Sequence, residues 1–418
     1  MNRKAFFAAI VLSVLFLSCT GKKEKLLTQK EIKMHQSASE MNDFLYQRVE
    51  QKKKSIDEYI GRLSIAEKVC QLFIENLEGN KKFTPVEKMS LVDPSSENDY
   101  IIPGGYIFFG YNIADTREDM KAFNKSIYEY CKKNDKIPPY LAVDQEGGSV
   151  CRLKKINTKL LSCLEISELS LEECRKIYDS QANQMHELGF HMNLAPVVEV
   201  ITDENKDFLD DRSFGSKEKV ISYGKQCIRS YEDNNIATVL KHFPGNTNTD
   251  PHKGLPVINL SRQMLEETLV PFQILLEEKP CAVLMSHAIT TAIESEKNTP
   301  SCLSEYWVNE ILRKKYGYDG IIFSDDIFMG ALKDNGFPPE TAVIKAIMAG
   351  IDVIMISEKR ISVPVNLIVQ LAQENPDILN RINQSVKRII SYKIKAGILS
   401  CSYNRDGSYT IEISNQIY

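Results

Sequence analysis

Short apolar runs and longer amphipathic stretches alternate along most of this chain. The runs fall at 72–75, 106–109, 140–143, 191–194, 238–240, 282–286, 320–324 and 352–356. Each is too short for a helix, and most lack the polar alternation of a half-solvated strand. They read as strands buried on both faces. Between them, residues 116–134, 171–188, 218–234, 262–278, 304–316 and 339–349 repeat apolar positions at helical spacing, which continues to about residue 396. Ser64-Ile65-Ala66-Glu67 fits a capping box, so another helix starts near Ile65. Buried strands alternating with helices predict an α/β fold with a parallel sheet, and eight such units predict a single (β/α)8 TIM-type barrel. An open doubly wound sheet is the alternative. No G-x-G-x-x-G follows the first run, which argues against a dinucleotide-binding version. Residues 78–99 read as a long loop.

The two ends stand apart from this pattern. Arg3 and Lys4 precede an apolar stretch at 5–17, too short to span a bilayer comfortably, and Ser18-Cys19 follows. Residues 1–19 therefore read as a secretory signal resembling a bacterial lipobox around Cys19. Phe16 stands where that pattern usually has leucine, and a plain cleaved signal or an uncleaved anchor is the other reading. Residues 20–54, rich in Lys, Glu, Gln and Ser, read as a polar tether that becomes helical after Met41. The barrel is assigned to 55–398. A C-terminal extension, 399–418, carries an Arg405-Asp406-Gly407 turn between alternating residues, which suggests a hairpin.

Composition narrows the function classes. Charged residues make up 26% and hydrophobic ones 43%, with a net charge of −4. No basic stripe is present, which disfavours nucleic-acid binding. Ten cysteines are present, and without Cys19 nine remain with no C-x-x-C pair. That spacing indicates neither a disulfide scaffold nor a zinc site. The membrane enters only through a lipid anchor, and no metal or cofactor is expected.

Polar clusters sit at the ends of the apolar runs: Asp144 after the third, Lys241 and His242 after the fifth, His287 after the sixth, Asp325 after the seventh. Barrels of this type carry their chemistry at the C-terminal ends of the strands. This placement indicates an enzyme. In KHFPGNTNTDPHKGLP, 241–256, Asp250 stands two residues before His252, where a carboxylate can orient an imidazole and stabilise its protonated form.

The motifs DQEGG at 144–148, NLAPVVEV at 193–200, RSFGS at 212–216, KHFPG at 241–245, D-x-H at 250–252 and SDD at 324–326 occur in that order. Together they resemble the single-barrel β-N-acetylglucosaminidases of glycoside hydrolase family 3, over roughly residues 60 to 398. The resemblance implies an exo-acting retaining enzyme that removes terminal β-linked N-acetylglucosamine from glycans or cell-wall fragments, with a carbohydrate as its partner. It implies Asp325 as nucleophile, His252 as acid/base and Asp250 as the group that orients His252. Asp144, Arg152, Arg212, Lys241 and His242 would hold the sugar hydroxyls.

Other readings of these residues remain open. Asp326 could be the nucleophile, and His287 is as readily structural as pocket-lining. His186 and His191 read as packing or surface residues, and Cys151 as a small filler. Asp203 and Glu204 replace an Asn/Pro-containing pattern usual in the family. Asn246 follows Gly245 where the family has histidine, in a loop two residues shorter. Pro251 stiffens the D-x-H, and Ser149 replaces an arginine. A family 3 β-glucosidase, a phosphorylase and a non-catalytic sugar-binding lipoprotein are the rival functions. Many β-glucosidases of the family carry a second domain, and too few residues follow Ala396 to build one.

Overall fold

A computed structural model describes residues 38–415. The signal- and lipobox-like segment with Cys19, and residues 20–37 of the tether, lie outside the described residues. Contacts divide the chain into two units, one of residues 64–389 and one made of 38–63 with 390–415.

The larger unit is a closed barrel of eight parallel strands. They are β1 (Phe73–Asn76), β2 (Gly105–Phe108), β3 (Tyr140–Val143), β4 (Met192–Asn193), β5 (Ala237–Phe243), β6 (Ala282–Met285), β7 (Ile321–Asp326) and β8 (Val353–Ile356). Each strand pairs with its sequence neighbours, and β8 pairs back onto β1. This is the (β/α)8 order, so the doubly wound alternative is excluded.

Helix starts follow local sequence. Thr116, Ser170, Ser216 and Ser261 accept from the backbone N–H three residues on, opening helices Arg117–Lys133, Leu171–Glu187, Lys217–Asp233 and Arg262–Leu275. Ser64 and Glu67 close the expected capping box at helix Ile65–Gln71. The helix read at 304–316 is a wide π-helix, Tyr306–Lys315. Its buried Trp307, Val308, Ile311 and Leu312 suit either helix type, so the apolar pattern does not separate them.

Two strands run further than the apolar pattern suggests. The fifth run ends at Leu240 in sequence, yet β5 continues through Lys241, His242 and Phe243. Likewise β7 includes both Asp325 and Asp326. Buried pairing partners, described below, offset the cost of taking these charges out of water. The loop 78–99 is anchored by Glu87, whose carboxylate accepts from Ile361 N (2.6 Å) and Ser362 N (2.8 Å), at the start of helix Ser362–Glu374.

Packing closes the barrel interior. The buried Tyr140 ring meets Phe323 edge-on, with centroids 6.4 Å apart. Tyr140 fits because its neighbour in β2 is Gly105, where a Cβ would lie 2.2 Å from the ring. At the opposite rim from the polar clusters, Asp352 precedes β8 and is fully buried. Its carboxylate accepts from Arg313 (2.6 Å), Arg381 (2.8 Å), Arg388 (3.2 Å) and Ile322 N (3.1 Å).

The smaller unit holds helix Ala38–Arg62 and the antiparallel hairpin Leu399–Tyr403/Tyr409–Ile413. Arg48 lies 4.2 Å from the Tyr403 ring centroid and donates from Nε to Tyr409 OH at 3.1 Å. Residues 38–54, read as the end of a tether, are therefore the first part of a helix that its arginine ties to the hairpin.

Candidate active site

The polar clusters meet at the C-terminal ends of the strands. Lys241, buried at the end of β5, donates to Asp144 (2.7 Å) beyond β3 and contacts Glu146 (2.7 Å). Glu146 belongs to the small hairpin Gln145–Gly147/Val150–Cys151. Arg212 closes on the same carboxylate with a two-pronged pair, Nε to Oε2 at 2.8 Å and an Nη to Oε1 at 3.0 Å. Burial alone would raise the Glu146 pKa, but Lys241 and Arg212 bring it down to about 2. Burial likewise disfavours the Lys241 charge, and Asp144 with Glu146 outweighs it and raises its pKa. The result is a fixed alternation of charge, Asp144–Lys241–Glu146–Arg212, across three loops.

Arg152 follows the same small hairpin. Its Nε is buried and has no hydrogen-bond partner among the described residues. Ser149, in place of the family's arginine, donates to Asp211 at 2.8 Å.

His242 lines the rim beside Lys241, its ring edge-on to Phe208 at 6.4 Å between centroids. Its Nδ1 bonds Glu199 Oε1 at 2.7 Å. Glu199 lies in the NLAPVVEV stretch and was not singled out from sequence; nor was Glu146. Both stood inside quoted motifs, and an acidic residue in a buried strand-end motif was the available signal.

Asp325 and Asp326 are driven apart. Burial pushes Asp325 up, but His287, His242, the Asp326 N–H and Lys241 outweigh it and leave its pKa below the usual carboxylate range. Asp326 is raised, chiefly by burial and in part by the Asp325 charge, while its Oδ1 accepts from Phe328 N at 3.0 Å. Burial and charge thus shift the two neighbouring carboxyls in opposite directions, Asp325 down and Asp326 up. His287 is buried, and its Nε2 donates to the Asp326 carbonyl at 2.9 Å while Nδ1 lies 3.2 Å from Cys302 Sγ. Both ring nitrogens are thus engaged by protein.

Asp250 and His252 are paired on the loop after β5. Asp250 Oδ1 accepts from His252 N (2.9 Å) and bonds His252 Nδ1 (2.8 Å). These bonds, backbone first, lower the Asp250 pKa. The His252 side chain is 69% exposed, so its Nε2 edge is open to solvent. The loop is seated beside β7: Ala331 N donates to Pro251 O at 3.2 Å, and a Cβ on Gly330 would lie 3.1 Å from His252 O. Its other side is held by Asn248, which bonds the loop after β4 at Asp203 O (3.0 Å), Glu204 O (2.6 Å) and Asp207 N (2.8 Å). The loop that carries the dyad is thus bonded to the short helix Gly330–Lys333, which follows β7. His191 packs against Tyr128, and buried Cys151 accepts from Gln145 at 3.2 Å.

A (β/α)8 barrel with buried, charge-paired carboxylates at its strand ends, and an Asp–His pair on the loop after β5, fits a glycoside hydrolase. Residues 64–392 match the family described as Glycosyl hydrolase family 3 N terminal domain, and the chain belongs to that family. Beta-hexosaminidase A of Pseudoalteromonas piscicida is 26% identical over 60% of this chain and 45% of its own length, so the match spans under half of that relative. Beta-hexosaminidase LpqI of Mycobacterium tuberculosis is 28% identical over 66% of this chain and 73% of its own. A glycoside hydrolase family 3 beta-N-acetylglucosaminidase from Paenibacillus sp. superposes with a TM-score of 0.72 at 25% identity, covering 85% of this chain and 65% of that one.

Proposed function

We propose that the protein is an exo-acting, retaining β-N-acetylglucosaminidase in which Asp325 is the nucleophile and His252 the acid/base. The observation that carries this reading is the seating of the Asp250–His252 loop against the segment after Asp325, through Ala331 N and Pro251 O at 3.2 Å. It supports the reading because the loop carrying His252 is bonded to the helix that follows the strand of Asp325.

In the first step an Asp325 oxygen attacks the anomeric carbon and the glycosidic C–O bond breaks. His252 gives its Nε2 proton to the departing oxygen, and a glycosyl–aspartate ester forms. In the second step His252 takes a proton from water, whose oxygen displaces the Asp325 carboxylate from the same carbon. An unperturbed histidine pKa of about 6.5 suits a group that must both give and take a proton. Asp250, bonded to Nδ1 at 2.8 Å, orients the ring. The exposed position of His252 suits a loop that closes over bound sugar and expels water.

Asp144, Lys241, Arg152, Arg212 and His242 are proposed to hold the sugar. Lys241 and Arg212 are already spread across Asp144 and Glu146, so hydroxyls meet prearranged donors and acceptors. Export and a lipid tether through Cys19 belong to the same proposal and rest on the N-terminal sequence; terminal N-acetylglucosamine of external glycans or cell-wall fragments is then the substrate.

A panel of nitrophenyl β-glycosides tests the reading. Turnover of the N-acetylglucosaminide should exceed that of the glucoside. Faster turnover of the glucoside would reject the aminosugar assignment, and release of sugar 1-phosphate in phosphate buffer would reject water as the acceptor.

A further inference from the structure

Glu199 plays no part in the steps above, yet it is 3% exposed and gathers four donors. Its oxygens divide the work. Oε1 takes His242 Nδ1 at 2.7 Å, His242 N at 3.2 Å and Asn246 Nδ2 at 3.3 Å. Oε2 takes Asn246 N at 2.6 Å. We propose that Glu199 is a positioning residue with two tasks, fixing the tautomer of His242 and anchoring the base of the loop that carries Asp250 and His252.

The first task follows from the acceptor on Nδ1. The hydrogen must sit on that nitrogen, which leaves Nε2 of a neutral ring as an acceptor for a sugar hydroxyl. The second follows from where Asn246 stands. It is the first residue after KHFPG, next to Gly245 at φ +145°, a backbone conformation that glycine adopts most readily. From there the chain runs to Asn248, tied to the loop after β4, and then to the exposed dyad. The loop is thus pinned at its base by Glu199 and Asn248, and near its tip by the Ala331 N–H donated to Pro251 O. Asn246 occupies the position of the family's histidine, and here it serves the anchor with both its backbone and its side chain.

The two tasks can be separated chemically. Glu199→Gln retains one oxygen for His242 but turns an amide NH2 toward Asn246 N, donor against donor at 2.6 Å. The substitution should free the loop base while leaving the His242 tautomer set. Glu199→Ala removes both.

This inference rests on the reading of His252 as acid/base, and the experiment keeps the two apart. Two β-N-acetylglucosaminides are compared, a dinitrophenyl glycoside that needs little protonation of its leaving group and the β-linked disaccharide, which needs much. Hydrogen exchange at 246–254 is measured in the absence of any substrate. Glu199→Gln should lower kcat/KM on the disaccharide by about tenfold or more and change it on the dinitrophenyl glycoside by less than about threefold. Exchange at 246–254 should quicken while the Tm stays that of the wild type. Glu199→Ala should in addition raise KM for both substrates. Equal slowing of both substrates by Glu199→Gln, or unaltered exchange at 246–254, would overturn the anchor. A wild type that turns over neither substrate would refute the acid/base reading, and the exchange comparison would still decide on Glu199. Glu199→Gln conserves volume and carries the test if Glu199→Ala does not fold.

Discussion

Lys241 is the residue on which most of the buried charge at the rim depends. It faces Asp144 and Glu146 at 2.7 Å each, with its own side chain 4% exposed. Lys241→Met keeps the volume but leaves these carboxylates short of a cation. Breaking a buried pair from one side costs about 3–5 kcal/mol, and Arg212 remains to offset part of it. The penalty should be largest near neutral pH. Glu146 sits at about 2 when folded, against about 4.3 for a free glutamate. Its depressed pKa therefore stabilises the folded state fully above the unfolded value, and that stability is lost as pH falls toward the folded value. Denaturant unfolding of wild type and Lys241→Met between neutral pH and pH of about 3 should show the gap narrowing on acidification. A gap independent of pH would contradict the charge account. At this scale the roles proposed for Asp325, His252 and Asp250 come from short motifs in the sequence. Those of Glu199 and Glu146 do not, because their partners stand 43 and 66 residues away in the chain. Their motifs flagged them only as acidic residues near strand ends; which imidazole or guanidinium each meets depends on the fold.

Among the elements, the eight strands were visible as apolar runs, and their spacing is what the barrel required. Two strand ends were misread because charged residues end an apolar pattern, while buried pairs let β5 and β7 continue through them. The hairpin after β3 illustrates the other limit. Gly147 has φ +106°, and a Cβ there would lie 2.0 Å from the Leu161 carbonyl oxygen. Gly147→Ala must therefore strain the backbone and push that neighbour, moving Glu146 with it. A loss of about 1–3 kcal/mol is expected, with a larger fall in turnover than in stability alone would explain. Thermal unfolding beside kcat/KM checks it, and an alanine variant indistinguishable from wild type would show that the hairpin does not set the site. The close approach of Leu161 to Gly147 is set by the fold.

For the whole molecule, the rims of the barrel carry opposite tasks. Asp352 and its three arginines tie helices to strands at one rim, whereas the other rim collects the groups proposed to act on sugar. The motif order in the chain already implied this division, since each motif follows a strand. What the chain order did not disclose is how the shortened loop after β5 reaches β7, which depends on Asn248 and on the Pro251 carbonyl meeting Ala331. The account stands on one carboxylate being the group that bonds to the sugar. Treating the protein with a fluorinated N-acetylglucosaminyl fluoride, digesting it and mapping the adduct by mass spectrometry tests that most directly. The adduct should lie on Asp325 and be absent in Asp325→Asn; an ester on Asp326, or none with an active enzyme, would contradict it.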